Sequence, residues 1–159
     1  MHADLQRSPL VRLCIVLCLT VLSSAADAAD WRVNAGAATL KGGTSTVGAR
    51  AVFPNAVAGK ADFEFGVQLL DSSRYRSFAQ PNQAMITTQV VKDFHFIEVG
   101  FGVTYLWNDD IYNSGRFNFI TAARFHLSER LDVEWMHVSN AGIHKPNRGR
   151  DMAVLAYQF

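Results

Sequence analysis

Cysteine is almost absent from this sequence: the two copies, Cys14 and Cys18, both lie near the N-terminus. No sign of charge dominates, because 15 Lys and Arg face 14 Asp and Glu. This balance argues against nucleic-acid binding, which needs a basic surplus. Only four prolines among 159 residues exclude a collagen-like chain, and the 49% hydrophobic content excludes a disordered one. The length predicts one domain.

Residues 1–28 have the pattern of a secretory signal peptide. A start with two arginines precedes the apolar run Leu13–Leu22, and small residues around Ala26-Asp27-Ala28 provide a cleavage site. The run is too short for a membrane anchor, which needs about 20 apolar residues. A lipid-attachment box fits poorly, since a leucine precedes each cysteine. We therefore predict that residues 1–28 are removed and that residues 29–159 form an exported domain without a thiol.

The mature sequence shows apolar residues at alternate positions, as in His95–Leu106 and Arg116–Leu127. Alternation with a period of two puts successive side chains on opposite faces of a β-strand. The segments that fit are Trp31–Leu40, Thr44–Phe53, Asp62–Leu70, Ala84–Phe94, His95–Leu106, Arg116–Leu127, Leu131–Asn140 and Asp151–Phe159. We predict an all-β fold, an eight-stranded antiparallel up-and-down transmembrane β-barrel.

Two features favour a barrel in the outer membrane over a soluble one. The apolar faces are rich in aromatic residues, whereas the opposite faces carry charged side chains such as Glu98, Arg124 and Glu134. In a membrane barrel the apolar face points outward, towards lipid. The last strand also ends in Phe159, which resembles the assembly signal of bacterial outer-membrane proteins. We therefore expect Phe159 to be recognised by the barrel assembly machinery.

Three polar side chains interrupt the predicted lipid-facing surface. His137 and Ser139 continue the outward series of the seventh strand, and Asp151 begins the outward series of the eighth. With a periplasmic N-terminus, the seventh strand ends at the cell-surface side. A hydroxyl beside an imidazole that a carboxylate orients is the arrangement for acyl transfer through a serine nucleophile. A chance His-x-Ser at the membrane interface is the alternative.

The segment His137–Gly142, followed by Lys145-Pro146-Asn147 and Gly149, resembles the signature of the PagL family, the outer-membrane lipid A 3-O-deacylases. Phe96–Val103 and Phe117–Phe119 extend the resemblance, which covers the last four strands well and the first half loosely. It implies an eight-stranded barrel that releases the 3-O-linked acyl chain of lipid A.

By this resemblance, His137 is the general base, Ser139 the nucleophile and Asp151 the orienting acid. The family's best-known pattern has Glu at the position of Asp151, so contact with His137 is expected to need a backbone shift or a bridging water. Asn140 and a backbone N–H near Ala141 and Gly142 are the implied oxyanion donors.

The cations Lys145, Arg148 and Arg150 in the last outer loop are weaker candidates for binding the phosphates of lipopolysaccharide, the alternative being an ordinary solvated loop. No metal site and no cofactor are expected. A non-enzymatic barrel that serves envelope structure or adhesion is the rival function. An acyltransferase fits less well, because no interior acyl channel can be inferred from the sequence.

Overall fold

The computed structural model describes residues 29–38, 44–75, 78–80, 82–108, 115–145 and 149–159. The predicted signal peptide therefore lies outside the described residues. Within them the regular elements are strands: β1 Asp30–Ala38, β2 Thr44–Val57, β3 Ala61–Leu70, β4 Ser73–Tyr75, β5 Phe78–Gln80, β6 Gln83–Asp93, β7 Ile97–Leu106, β8 Phe117–His126, β9 Leu131–Ser139 and β10 Arg150–Gln158.

Eight of these strands form one closed antiparallel barrel in the order β1-β10-β9-β8-β7-β6-β3-β2. Each strand pairs with its neighbour in sequence, apart from the short β4–β5 hairpin between β3 and β6, and β1 pairs with β10 to close the sheet. The predicted eight-stranded up-and-down barrel is confirmed. We call the end where β1, β3, β7 and β9 finish the upper rim, and the opposite end, where β1 begins at Asp30 and β10 ends at Gln158, the lower rim.

The strand boundaries agree with the predictions to within a few residues, with one longer extension. β2 continues past Phe53 to Val57 through a register irregularity, in which Asn55 takes a left-handed conformation with φ 54°. Pro54 cannot donate a ladder hydrogen bond, so an irregular extension is its natural setting. The predicted reversal near Phe94–His95 is confirmed, with β6 ending at Asp93. The last two residues of the first predicted strand, 39–40, lie outside the described residues.

The outward face of the barrel is apolar and aromatic, as the alternation predicts. Large exposed side chains near the lower rim include Trp31, Phe125 and Tyr157, and those near the upper rim include Trp107 and Phe117. Aromatic residues at both ends of an apolar band are typical of outer-membrane barrels. Among the described residues no helix is long and apolar enough to cross a membrane.

The lower half of the interior holds a network of buried ions. Arg124 contacts Glu64 at 3.1 Å and Glu134 at 3.3 Å, and it also pairs with Glu98. The network joins three arginines to four acids on six strands: Arg32, Arg50, Arg124, Glu64, Glu98, Asp132 and Glu134. His126 joins it through Asp132 at 2.7 Å. These charges are buried away from water, and the cost of that burial is offset by pairing between the arginines and the acids.

The upper half of the interior holds an apolar cluster, with buried polar side chains such as Gln83, Asn118 and Arg150 around it. Its central side chains are Met85, Leu106, Ile120, Met136 and Met152, each at most 1% exposed. These side chains pack across the barrel and hold the upper ends of the strands together. Buried side chains of this cluster, Val138 and Met152 among them, therefore lie directly behind the upper rim, where β9 ends and β10 begins.

Removal of one charge from the interior network is expected to destabilise the barrel. Glu134 is fully buried and accepts hydrogen bonds from Arg50 at 2.5 Å and from Arg124. Glu134→Gln leaves buried guanidinium charge uncompensated, so we expect a loss of about 3 kcal/mol in unfolding free energy. Urea titration of the heat-modifiable folded band measures this loss. Glu129→Gln, on an exposed turn, is the matched control, and equal midpoints for the two variants would refute the role of the network.

Candidate functional site

His137, Ser139 and Asp151 lie together on the outward face at the upper rim. In β9 the exposed and half-exposed residues are those at odd positions, and those at even positions are buried in the interior. In β10 Asp151 is half-buried on the outward face, and its Cα is the direct cross-strand partner of His137. On the other side of β9, Ser139 pairs with Phe119 of β8. The structure thus brings the three predicted site residues to one patch of the outer wall.

The histidine and the aspartate are in direct contact. Nδ1 of His137 lies 2.9 Å from Oδ1 of Asp151, with side-chain exposures of 36% and 29%. Of the two routes expected for the shorter aspartate, a backbone shift or a bridging water, the bridging water is wrong, because direct cross-strand register already brings the two side chains within hydrogen-bond distance. The two acids of β9, Asp132 and Glu134, face the interior network and cannot take this place.

Two further groups surround the imidazole. The indole of Trp135 stacks on it, with ring centroids 6.0 Å apart and an interplanar angle of 23°. Gly149, which has φ +64°, lies so close that a Cβ there would fall 2.5 Å from Cε1 of His137. The position and orientation of the ring are therefore defined by Asp151, Trp135 and Gly149 together.

A tight turn after β9 holds the backbone next to the serine. The N–H of Ala141 donates to Oγ of Ser139 at 3.1 Å, and Ala141 itself has φ 53°. The N–H of Gly142 donates to Oδ1 of Asn140 at 3.0 Å, and Nδ2 of Asn140 donates to the carbonyl of His144 at 2.9 Å. Asn140 is 1% exposed and faces inward. Its side chain therefore stabilises the turn, through these two hydrogen bonds, from the side opposite Ser139.

The predicted phosphate-binding cations occupy different environments. Lys145 is exposed in the loop after the turn, whereas Arg150 is 3% exposed on the inward face, a placement that does not favour contact with a lipid outside the barrel. Arg148 lies outside the described residues. Arg116, which no sequence pattern singled out, is exposed at the upper rim and donates to the hydroxyl of Tyr105 at 3.1 Å. The only sequence signal for it was a cation directly before an outward-facing aromatic residue.

Across the part of the chain that the structure describes, no group of three or more His, Cys, Asp or Glu side chains is placed to hold a metal ion. The patch itself presents a hydroxyl, an imidazole, a carboxylate and neighbouring backbone N–H groups.

A closed eight-stranded barrel with an apolar outer wall, and with a serine, a histidine and an aspartate grouped on that wall, defines a candidate membrane-embedded ester hydrolase. Comparison with protein families agrees with this class. The family model for PagL, lipid A 3-O-deacylase, matches residues 28–159. The chain belongs to the PagL family, the lipid A 3-O-deacylases, which are carboxylic ester hydrolases of the outer membrane.

A solved structure shares the fold. The crystal structure of the outer membrane enzyme PagL is similar to this chain with a TM-score of 0.55 at 17% sequence identity, covering 82% of this chain and 98% of that one. Comparison with curated proteins gives no significant match. The family match and the shared barrel confirm the family resemblance found in the sequence.

Proposed function

We propose that this protein hydrolyses the 3-O-linked acyl chain of lipid A in the outer leaflet, with Ser139 as nucleophile, His137 as base and Asp151 as orienting acid on the lipid-facing wall. The observation that carries the proposal is the 2.9 Å contact between His137 and Asp151 on the outer surface, with Ser139 on the same face of the same strand. Polar side chains on a lipid-facing wall cost free energy, and a cluster of them there therefore indicates a functional site.

The contact with Asp151 assigns the roles of the two imidazole nitrogens. The carboxylate of Asp151 accepts a hydrogen bond from Nδ1–H of His137, which leaves Nε2 without a proton and able to take the proton of the Ser139 hydroxyl. The serine oxygen then attacks the ester carbonyl of lipid A. Nε2–H returns the proton to the departing sugar oxygen, and an acyl-serine remains. Water, deprotonated by the same nitrogen, releases the fatty acid and restores the hydroxyl.

The turn after β9 supplies the oxyanion donors in this proposal. The N–H of Ala141 already points at Oγ of Ser139, so it lies near the position where negative charge develops on the carbonyl oxygen. Gly142 contributes a second N–H once its bond to Asn140 opens. Asn140 acts by holding the turn in shape, since its side chain is buried behind the serine.

The barrel supplies proximity in place of a deep pocket. With the lower rim periplasmic, the upper rim lies at the level of the lipid A headgroup and its ester bonds. Arg116 and Lys145 stand at that rim, where guanidinium and ammonium groups pair with lipid phosphates. Lipid A held against the wall in this way presents its ester to Ser139 without losing much further freedom.

Expression in a test bacterium followed by mass spectrometry of lipid A tests the proposal. Deacylation predicts the loss of one hydroxyacyl chain. Unchanged lipid A in the presence of folded barrel favours the rival non-enzymatic role, and a gain of one acyl chain favours an acyltransferase.

The C-terminal residue tests the proposed route into the membrane. Phe159 is 69% exposed, and its ring packs edge-on against Tyr157 at 5.2 Å, so it contributes little to the core. Phe159→Ala is expected to lower the amount of folded protein in the outer membrane several-fold, because the proposed recognition of this residue by the assembly machinery would be lost. Refolding of the same variant from urea into detergent should equal wild type. A refolding defect of the same size would assign Phe159 to stability instead.

A further inference from the structure

Gly149 is the residue that the interior network, the core and the proposed chemical steps leave without a role, although it is in direct contact with His137. Gly149 comes directly before Arg150 in the chain, and Arg150 pairs with Val138 of β9. Gly149 therefore lies at the level of Ser139 on the neighbouring strand. A Cβ at this position would stand 2.5 Å from Cε1, 3.0 Å from Nε2 and 3.5 Å from Nδ1 of His137. A side chain here would therefore press against the Cε1–Nε2 edge of the imidazole, where glycine has only a hydrogen atom.

We propose that Gly149 is a positioning residue, whose missing side chain keeps Nε2 of His137 open to the hydroxyl of Ser139 and to the departing sugar oxygen. This inference rests on the proposed function, in which Nε2 carries the proton. Asp151 already engages Nδ1, so Nε2 is the nitrogen left for proton transfer. A methyl group 3.0 Å from it would occupy the space that both reacting oxygens need.

The ring has little freedom to move away from such a side chain. Rotation would break the 2.9 Å contact with Asp151, and the indole of Trp135 is stacked against the ring. Displacement of the loop instead would shift Gly149 relative to Asp151, two residues further on. Either response misaligns the base by around 1 Å, and misplacement on this scale reduces rates by about 100-fold.

Glycine at this position also has φ +64°, so a conformational role must be separated from the spatial one. Asparagine accepts left-handed backbone far better than alanine does, yet both carry a Cβ. Gly59 provides a matched control: its φ is +66°, it lies in the β2–β3 turn at the lower rim, and a Cβ there would meet nothing within 4 Å.

The experiment compares Gly149→Ala and Gly149→Asn with Gly59→Ala and Gly59→Asn, all as folded barrels in detergent. The readouts are the steady-state deacylation of purified lipid A and the rate of serine labelling by a fluorophosphonate. We expect both Gly149 variants to lose about 100-fold in kcat and a similar factor in labelling rate, with KM little changed. Both Gly59 variants should keep wild-type rates.

Wild-type activity of Gly149→Asn would show that only the backbone conformation matters and would overturn the proposal. Loss of the folded band in both Gly149 variants would overturn it as well, because the residue would then serve barrel formation. Failure of the proposed function is distinguishable, since wild type and the Gly59 variants would then be inactive too.

Discussion

Ser139→Ala is expected to abolish deacylation of lipid A while leaving the barrel intact. The hydroxyl is the proposed nucleophile, and no other serine shares the outward face of β9 with His137. Removal of a serine nucleophile from a triad lowers kcat by on the order of 10⁶-fold, so we expect lipid A to keep its full, unmodified mass in cells that express the variant. The half-exposed side chain of Ser139 does not pack in the core, so the heat-modifiable gel shift of the folded barrel should be unchanged.

Ser45→Ala is the matched control for this variant. Ser45 is exposed on β2 at the same upper rim, on another part of the wall from His137. Its replacement should leave deacylation at the wild-type level. Residual deacylation by Ser139→Ala at more than about one hundredth of the wild-type rate would rule out Ser139 as the nucleophile.

Asp151→Asn is expected to reduce turnover by on the order of 10³- to 10⁴-fold. The amide is nearly isosteric with the carboxylate, but it is neutral and does not stabilise the imidazolium that forms when His137 takes the serine proton. Its NH₂ group can also donate to Nδ1, which would put the ring proton on Nε2, the wrong nitrogen for a base. Single-turnover release of fatty acid from purified lipid A measures the loss.

Two further variants separate charge from general disturbance. Asp30→Asn changes an exposed acid at the lower rim and should leave the rate unchanged. Asp151→Glu keeps the carboxylate and should retain much more activity than Asp151→Asn. A wild-type rate for Asp151→Asn would remove the aspartate from the mechanism.

Strand parity was sufficient to predict that His137, Ser139 and Asp151 face outward. Alternation in β9 places His137 and Ser139 outward and Glu134 inward, and the structure confirms this assignment. Parity follows from the pleat alone and needs no knowledge of neighbouring strands. The eight long strands and the inward position of the charged residues follow from the same regularity.

Contacts between strands depend on register, and the sequence predicted them less well. Direct contact between His137 and Asp151 depends on their being cross-strand partners, which parity does not specify. The closeness of Gly149 to the imidazole depends on the loop between β9 and β10, for which alternation gives no information. The hairpin of β4 and β5 was missed because strands of three residues are too short to show a period.

The most direct test of the central claim uses refolded protein, purified lipid A and water enriched in ¹⁸O. Hydrolysis through an acyl-serine breaks the bond between the carbonyl carbon and the sugar oxygen. We predict that the released hydroxy fatty acid carries ¹⁸O in its carboxyl group, that the freed sugar hydroxyl carries none, and that Ser139→Ala releases no acid. Release of fatty acid by Ser139→Ala at the wild-type rate, or ¹⁸O in the sugar hydroxyl, would contradict the account.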